Sequence, residues 1–423
     1  MNGKLVVLCA FGLSYLGFCS SPGPDASASH LQVLLKRKDY VGLEQSIHRR
    51  LSPDDRTLFS GILANRKNQI EDSTRLLEPL ASRLAAKPSS WRERELLATL
   101  ADDYSKTFHY AKSAQAFSAL LQRYGKTLSE QERKNAAQRK DEMQLLRFVA
   151  RQTVELNQPY VLPATRNPLG LIEIPVEAGG QMESWVLDTG ANTSVITEST
   201  ARRIGLQLLE GSAKTGDYTG IPVSYRVGVA GQLKIGSAVF HNVELCVAAD
   251  QAFHIGDYQI AGIIGFPVQS ALGRITVYAD GHVGINTEPA TQLGSELFME
   301  GQSPIAVAKV AGTEQLFSLD TGAMGSTFGP RLAAVLKTQL MEKMKTKFDL
   351  TGAGGTRSLR GYEIERLSVA LGGQEVILPT AGIVTDLTSS SLDVFFGNLG
   401  QDIFAAFTSY TFDFQNMTFI ARK

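Results

Sequence analysis

Apolar residues recur at intervals of three and four positions over residues 31–149, a stretch rich in Leu, Ala, Arg, Lys, Glu and Gln. This spacing gathers the apolar side chains on one face of a helix. Two helix pairs are predicted, over residues 58–80 and 96–124. Four residues are expected where the helices of the second pair meet: Ala101, Tyr104, Phe117 and Leu120. The pattern predicts an all-α, repeat-like domain over residues 29–157, and a plain helical bundle would have nearly the same pattern.

The two helix pairs resemble tetratricopeptide repeats, except that Ser73 and Ser113 stand where that family prefers alanine. Such a domain is more often a scaffold or a peptide-binding surface than a catalytic part.

The pattern changes at residues 157–168, where Pro159, Pro163 and Pro168 interrupt any helix. Short runs of alternating apolar and β-branched residues follow, separated by Gly, Asn, Pro and Asp, which is typical of strands and turns. The same pattern resumes at Pro304 and continues to the C terminus. We therefore predict two β-rich units, over residues 158–287 and 304–423, and a connector at residues 288–303.

The two β-rich units repeat each other. The segment Val-Leu-Asp-Thr-Gly-Ala at residues 186–191 is echoed by Ser-Leu-Asp-Thr-Gly-Ala at residues 318–323. About eighty residues after each aspartate comes a short element containing glycine, Ile-Ile-Gly at residues 263–265 and Asn-Leu-Gly at residues 398–400. A single Asp-Thr-Gly occurs in many unrelated loops. Two copies with matched surroundings indicate an internal repeat that carries chemistry.

This arrangement resembles the pepsin and retropepsin families of aspartic peptidases, in which each Asp-Thr/Ser-Gly loop is followed by an apolar-apolar-Gly turn. The resemblance covers about residues 159–423. It implies an all-β, bilobal acid-protease fold after the helical domain, with substrate in the cleft between two barrel-like lobes. The alanine after each Asp-Thr-Gly and the Gly-rich residues 351–355 are more similar to retropepsins, which are homodimers. This chain would then be a fused pair.

The resemblance implies that Asp188 and Asp320 supply two catalytic carboxylates. Like charges held about 3 Å apart share one proton, so one carboxylate can take a proton from water while its protonated neighbour binds the peptide carbonyl. The two roles can exchange, and the sequence assigns no fixed acid or base. We therefore expect an aspartic endopeptidase, a hydrolase that acts on peptide or protein substrates and needs no metal or other cofactor.

Six loop residues are expected to support the two aspartates: Thr189, Gly190, Ala191, Thr321, Gly322 and Ala323. The glycines let the backbone turn tightly and leave N–H groups that can donate to the carboxylates. The resemblance implies that the threonines hydrogen-bond across the lobe interface. The alanines replace the Ser or Thr common in pepsin-like loops, so each carboxylate lacks one hydroxyl donor. We expect the pair to titrate at higher pH for this reason.

Gly-rich residues 215–222 and 351–362 are candidates for flaps over the cleft, with Tyr218, Gly354 and Gly355 as candidate flap residues. Tyr218 would approach the substrate, although an ordinary surface turn would have the same sequence. Asn398 stands where the resemblance places an aliphatic residue. This departure is compatible with a slow or highly selective enzyme.

Other chemistries lack their motifs. The histidines at positions 30, 48, 109, 241, 254 and 282 show no metal-ligand spacing, and Cys246 lies in an apolar run, where a core role is expected. No phosphate-binding loop or concentrated basic surface points to nucleotides or nucleic acids. The remaining alternative is a slow or inactive peptide-binding adaptor on the same fold, with a protein partner on the helical domain.

The N terminus predicts export. Lys4 precedes an apolar run at residues 5–18, which is short for a membrane span, and a polar, proline-containing segment follows. We expect a signal peptide and leader over residues 1–28 and a bacterial protein that is periplasmic, cell-surface or secreted. The segment ending at Cys19 resembles a lipoprotein box except at Phe18, so a lipid anchor at Cys19 is the less favoured hypothesis.

Charge is divided unevenly along a chain with 42 basic and 42 acidic residues. Residues 29–157 carry 23 basic and 16 acidic residues, whereas residues 158–423 carry 18 and 25. The excesses of about +7 and −7 allow docking of the helical part on the β-rich part or attraction of a basic partner to the acidic part, but they favour a solvated surface with no special partner.

Overall fold

The computed structural model describes residues 24–48, 50–85, 90–216, 221–291, 293–386 and 395–423. Residues 1–23 of the expected leader, including Cys19, and the candidate flap residue Tyr218 lie outside these ranges. Residues 24–28 of that leader belong to the first helix, in which Ala28 is buried. No helix among the described residues is both long and apolar enough to cross a membrane.

The N-terminal region is helical, which confirms the predicted fold class. Its helices are α1 (Pro24–Arg37), α2 (Tyr40–Ser46), α3 (Pro53–Arg66), α4 (Ile70–Ala85), α5 (Trp91–Lys106), α6 (Tyr110–Tyr124) and α7 (Glu130–Leu145). The sequence sets several helix starts locally, because Ser52, Ser90 and Ser129 accept N–H groups from the first turns of α3, α5 and α7.

Helices α5 and α6 pack as an antiparallel pair around the predicted contact residues. Ala101, Phe117 and Leu120 are buried together, and Tyr104 packs against them. The buried Ser113 hydroxyl donates to the Ala101 carbonyl oxygen at 2.7 Å, which satisfies its polar group inside the pair. Paired helices are therefore present, and the likeness to tetratricopeptide repeats stays a prediction.

The first lobe begins with strands on either side of the predicted boundary at residue 158. Its elements are β1 (Thr153–Glu155), β2 (Tyr160–Pro163), β3 (Thr165–Arg166), β4 (Ile172–Ala178), β5 (Gln181–Leu187), β6 (Val195–Thr197), α8 (Glu198–Arg203), β7 (Ala213–Gly216), β8 (Pro222–Ile235), β9 (Ala238–Ala248), β10 (His254–Ile255), β11 (Tyr258–Gln259), β12 (Gly262–Ile264), α9 (Phe266–Leu272), β13 (Arg274–Tyr278) and β14 (His282–Ile285). Strand β1 pairs with β9, so the sheet of the first lobe includes residues 153–155, which the sequence pattern assigned to the helical domain.

The second lobe repeats this order. Its elements are β15 (Ser295–Glu300), β16 (Ser303–Val310), β17 (Thr313–Leu319), β18 (Thr327–Phe328), α10 (Pro330–Val335), α11 (Lys337–Leu340), β19 (Thr346–Gly352), β20 (Gly355–Leu371), β21 (Gln374–Val384), β22 (Gly397–Leu399), α12 (Gln401–Phe404), β23 (Ser409–Asp413) and β24 (Thr418–Arg422).

The structure differs from expectation at residues 288–303, because β15 lies inside the predicted connector. This strand pairs with both β16 and β24. Leu297, Phe298 and Met299 are consecutive and all buried. A strand covered on both faces has no alternation of apolar and polar residues, so the pattern that marks other strands is missing here.

A continuous sheet joins the two lobes. The order β2-β14-β13-β23-β24-β15 runs through it, and β13 pairs antiparallel with β23 at its centre. Three strands from each lobe therefore flank a common junction in equivalent order. Backbone hydrogen bonds across this junction hold the two lobes of one chain side by side.

The helical region contacts both lobes. On the second lobe, Glu300 of β15 binds Lys38 and Tyr40, and Lys67 binds Glu296 at 2.8 Å. Burial alone raises the pKa of Glu300, but the Lys38 and Arg66 charges outweigh it and lower that pKa to about 2. Basic helical residues thus pair with acidic residues of the β-rich region, whereas the charge division alone favoured a solvated surface.

The loop between α3 and α4 reaches the junction of the lobes. The Asn68 amide donates to Ser270 Oγ of the first lobe at 3.3 Å and to the Phe414 carbonyl oxygen of the second at 3.4 Å. The helical region therefore spans both lobes. A protein partner on its remaining surface stays a prediction.

Candidate active site

Each aspartate of the repeat stands at the end of a buried strand. Strand β5 ends at Leu187 and β17 at Leu319, immediately before Asp188 and Asp320. Strand β12 runs parallel to β5, and β22 runs parallel to β17. The Asp188 N–H donates to the Ile264 carbonyl oxygen at 3.2 Å, and that of Asp320 to Leu399 at 3.0 Å. The short glycine-containing elements therefore fix the backbone of both aspartates.

Two threonines interlock the aspartate loops. The Thr189 N–H donates to Thr321 Oγ1 at 3.0 Å, and the Thr321 N–H donates to Thr189 Oγ1 at 3.0 Å. Each hydroxyl then donates into the opposite strand, Thr189 to the Leu319 carbonyl oxygen at 2.8 Å and Thr321 to that of Leu187 at 2.6 Å. Four hydrogen bonds thus join two loops that are 130 to 134 residues apart in sequence.

The glycines of the loops lie against the opposite carboxyl groups. The Gly190 N–H donates to Asp188 Oδ1 at 2.7 Å, and the Gly322 N–H donates to Asp320 Oδ1 at 3.0 Å. A Cβ on Gly190 would lie 2.5 Å from Asp320 Cγ, and one on Gly322 would lie even closer to Asp188 Cγ. Any side chain at these positions would push the two carboxyl groups apart.

Ala191 and Ala323 anchor the loops through their backbones. Their carbonyl oxygens accept the N–H groups of Phe266 and Gln401 at 2.9 Å, at the starts of α9 and α12. The methyl groups offer no donor to the aspartates. The hydroxyl donor that pepsin-like loops place there is therefore absent, as expected from the sequence.

The two carboxyl groups hydrogen-bond each other and keep some solvent-accessible surface. Burial raises the pKa of Asp188 well above its usual range, and the neighbouring Asp320 charge raises it further. Burial also raises the pKa of Asp320, although hydrogen bonds from Asn398 and Gly322 oppose the rise. Such a pair retains one proton over a range of pH in which free carboxyls are ionised.

Asn398 hydrogen-bonds one of the two paired aspartates (the dyad), a role that the sequence did not predict. Its Nδ2 donates to Asp320 Oδ2 at 2.8 Å. The sequence marked the residue as a departure from the apolar pattern. A polar side chain beside the aspartate strand was the signal that could have identified it.

Three polar residues that hydrogen-bond to the backbone around the aspartate loops were not predicted from the sequence: Ser194, Ser326 and Gln269. Ser194 and Ser326 each follow their aspartate by six residues, and their hydroxyls accept the N–H groups of Gly265 and Gly400 at 3.1 and 3.0 Å. The buried Gln269 amide donates to the Asp188 carbonyl oxygen at 2.7 Å. The repeated serine was visible in the sequence. The glutamine contact was not, because nothing local links it to Asp188.

The described parts of the two candidate flaps lie in antiparallel strand pairs that approach each other at Ile221 and Gly354. Strands β7 and β8 form one hairpin and β19 and β20 the other. Gly354 lies so close to Ile221 that a Cβ on Gly354 would be 2.7 Å from the Ile221 carbonyl oxygen. Gly355 has φ of 126°, which favours glycine. Ala353 packs against a first-lobe apolar cluster to which Phe253 and Ile263 belong, so the second-lobe hairpin reaches the other lobe.

Residues 174–268 match the family model described as aspartyl protease. The match runs from β4 into α9 and includes the Asp188 loop and the Ile264-Gly265 element. No curated protein matches the chain. The matched segment and the β-rich lobes support an aspartyl protease, and the finer likeness to pepsins or retropepsins stays a prediction.

A second acidic cluster lies where α7 packs on the first lobe. Glu142, Glu244 and Cys246 place possible metal-ligand atoms within 4.8 Å of one another. Arg139 binds one oxygen of Glu142, and the Tyr225 hydroxyl donates to the other at 3.1 Å. Burial and the Glu142 charge raise the pKa of Glu244, and the two carboxyl groups hydrogen-bond each other. The hydrogen bond between the two carboxyl groups and the ion pair with Arg139 therefore give both glutamates partners within the protein.

Glu244→Gln is expected to stabilise the protein relative to the wild type, and more at neutral than at acidic pH. The folded state raises the pKa of Glu244, so above about pH 4.3 this carboxyl ionises more readily in the unfolded chain than in the folded protein. The wild type therefore loses stability as pH rises. The amide keeps a donor to Glu142 and does not ionise. Thermal unfolding at pH 5 and pH 8 checks this, with exposed Glu314→Gln as control. Equal destabilisation of Glu244→Gln at both pH values would contradict a protonated Glu244.

Proposed function

We propose that this protein is an aspartic endopeptidase, which hydrolyses peptide bonds with a water molecule activated between Asp188 and Asp320. One observation carries the proposal. Two carboxyl groups from separate lobes of one chain contact each other in an accessible position, and their pKa values are raised. The interlocked threonines support it, since they preserve this contact.

The reaction follows from one proton held between two carboxyl groups. The ionised carboxylate takes a proton from water as the water oxygen attacks the peptide carbonyl carbon. The protonated carboxyl donates to the carbonyl oxygen and stabilises the tetrahedral intermediate. A proton then passes to the peptide nitrogen as the C–N bond breaks, which leaves a carboxylic acid and an amine and restores the singly protonated pair.

The converging hairpins support an extended peptide as substrate. Residues 353–355 reach from the second lobe towards Ile221 of the first, and we expect them to cover the cleft. Strand edges of this kind can pair with a peptide backbone independently of its side chains. Such a cover also excludes bulk water, which strengthens the electrostatic interactions of the dyad.

Peptide cleavage is expected to extend towards neutral pH. Below the lower apparent pKa of the dyad both carboxyl groups are protonated and no base remains; above the upper one both are ionised and no acid remains. Because the structure raises both pKa values, the active window should lie above the usual carboxyl range of about 4. The kcat/KM profile should therefore peak above about pH 4. A sharp optimum near pH ~2 would contradict the raised values.

The activity is tested directly by incubating residues 24–423 with a mixed peptide library between about pH 3 and 8. Mass spectrometry should reveal new peptide termini. A peptide with a hydroxyl-bearing, non-cleavable bond that mimics the tetrahedral intermediate should inhibit the reaction. Peptides that bind and stay intact would instead favour the peptide-binding adaptor.

We also propose that the protein is exported, on the basis of Lys4 and the apolar run at residues 5–18. The mature chain should then be recovered from the periplasm, the cell surface or the medium, with a new N terminus after the leader. Full-length chain in the cytoplasm alone would contradict export. Incorporation of labelled fatty acid at Cys19 would favour the lipid anchor.

A further inference from the structure

We propose that Asn398 fixes the protonation of the dyad, so that Asp320 is the ionised base and Asp188 is the protonated acid. Asn398 would act through Asp320 as a positioning residue. Its catalytic consequence rests on the proposed peptidase function. The protonation itself can be measured without turnover.

The hydrogen bonds to Asp320 favour its ionised form. Gly322 N–H donates to Oδ1 at 3.0 Å and Asn398 Nδ2 donates to Oδ2 at 2.8 Å, so each carboxylate oxygen accepts a donor. An amide nitrogen donates and cannot accept. Donors that reach both oxygens stabilise the anion more than the acid.

The first lobe has no equivalent donor at this position. Asn398 lies opposite Ser318, two residues before Asp320, and Ile263 lies opposite Val186, two residues before Asp188. Ile263 is buried in an apolar cluster with Leu171 and Phe253. The backbone donors to the two aspartates are otherwise matched, since Gly190 serves Asp188 as Gly322 serves Asp320.

Fusion of the two lobes makes this asymmetry possible. A homodimer built from one Asp-Thr-Gly loop carries the same residues on both sides of its axis, so neither aspartate is distinguished by sequence. Here the two loops belong to one chain, and only one neighbouring element carries an asparagine. The chain can therefore assign base and acid permanently. Asp320 would accept the proton of the attacking water while Asp188 donates to the carbonyl oxygen.

Two reagents report which aspartate is protonated, because one reacts with a carboxylate and the other with a carboxylic acid. An epoxide needs a carboxylate: the carboxylate oxygen attacks a ring carbon, the C–O bond opens, and the alkoxide takes a proton from water. A diazo ester needs a carboxylic acid: the acid protonates the diazo carbon, dinitrogen leaves, and the carboxylate forms an ester. Peptide mapping of the wild-type protein should place the epoxide label on Asp320 and the diazo label on Asp188. Epoxide on Asp188, or equal labelling of both residues, would overturn the proposal.

Exchange of the two side chains tests whether Asn398 is the cause. Asn398→Ile should reduce the preference of the epoxide for Asp320, and the double variant Asn398→Ile with Ile263→Asn should move the label to Asp188. Asn398→Leu provides a second apolar replacement should isoleucine impair folding. An unchanged preference in these variants would overturn the role of Asn398.

The pH profile adds a kinetic readout. Asn398→Ile removes a hydrogen-bond donor from the Asp320 carboxylate, so the acidic limb of the kcat/KM profile should move to higher pH by about one unit. At a fixed pH on that limb, kcat/KM should fall about tenfold. An unchanged limb would contradict the proposal. If no variant or wild type cleaves peptides but the epoxide still selects Asp320, the peptidase proposal fails and the protonation assignment stands. If peptides are cleaved while labelling is equal, only the assignment fails.

Discussion

Asp188→Asn and Asp320→Asn should each abolish peptide cleavage, with kcat/KM falling by roughly 10³-fold or more. An amide has the shape of a carboxyl group, so the Gly190 and Gly322 donors can keep their partners. It can neither accept the proton of the attacking water nor share a proton with its neighbour. Cleavage of a peptide selected from the library measures the loss. Asp257→Asn, at an exposed position, is the matched control and should retain full activity.

Thermal unfolding distinguishes a loss of catalysis in these variants from a loss of folding. Asp188→Asn removes a carboxyl whose raised pKa costs stability at neutral pH, so its thermal midpoint should not fall below that of the wild type. In Asp320→Asn the amide has one oxygen for the two donors Gly322 and Asn398, so some loss of stability is expected there. An Asp188→Asn protein that keeps its activity would contradict the dyad. Recovery of activity after mixing the two inactive variants would show that the working site forms between chains, in conflict with the single-chain site described above.

Thr321→Val should lower the free energy of unfolding by roughly 2–4 kcal/mol and reduce cleavage with it. Valine has nearly the same volume but lacks the hydroxyl that accepts from the Thr189 N–H and donates to the Leu187 carbonyl oxygen. Both groups belong to buried residues, so each would be left without its partner. Chemical denaturation measures the stability, and the same peptide substrate measures the activity.

Thr321→Ser is the matched control, because serine keeps the hydroxyl and loses only a methyl group. It should retain most of the stability and the activity. Thr189→Val should behave as Thr321→Val does, since its hydroxyl makes the equivalent pair of bonds. Equal stability of the valine and serine variants would show that the threonine interlock contributes little to holding the lobes together.

The sequence by itself determined the helical and β-rich parts of the chain and the two aspartate loops. These features are local. Helical periodicity, proline interruptions and serine caps act within a few residues. The repeated Leu-Asp-Thr-Gly-Ala needs only comparison of one segment with another. The same comparison could also have marked Ser194 and Ser326, which occupy equivalent places in the repeat.

Only the tertiary structure decided how distant residues act on one another. It placed β15 inside a predicted connector, set Glu300 against Lys38 and brought the Asn398 amide to Asp320. Each of these contacts depends on strand pairing or packing between segments far apart in sequence, and local preference carries no information about them. The sequence names two similar carboxylates, whereas their unequal hydrogen bonding follows from which strand the fold lays beside each one.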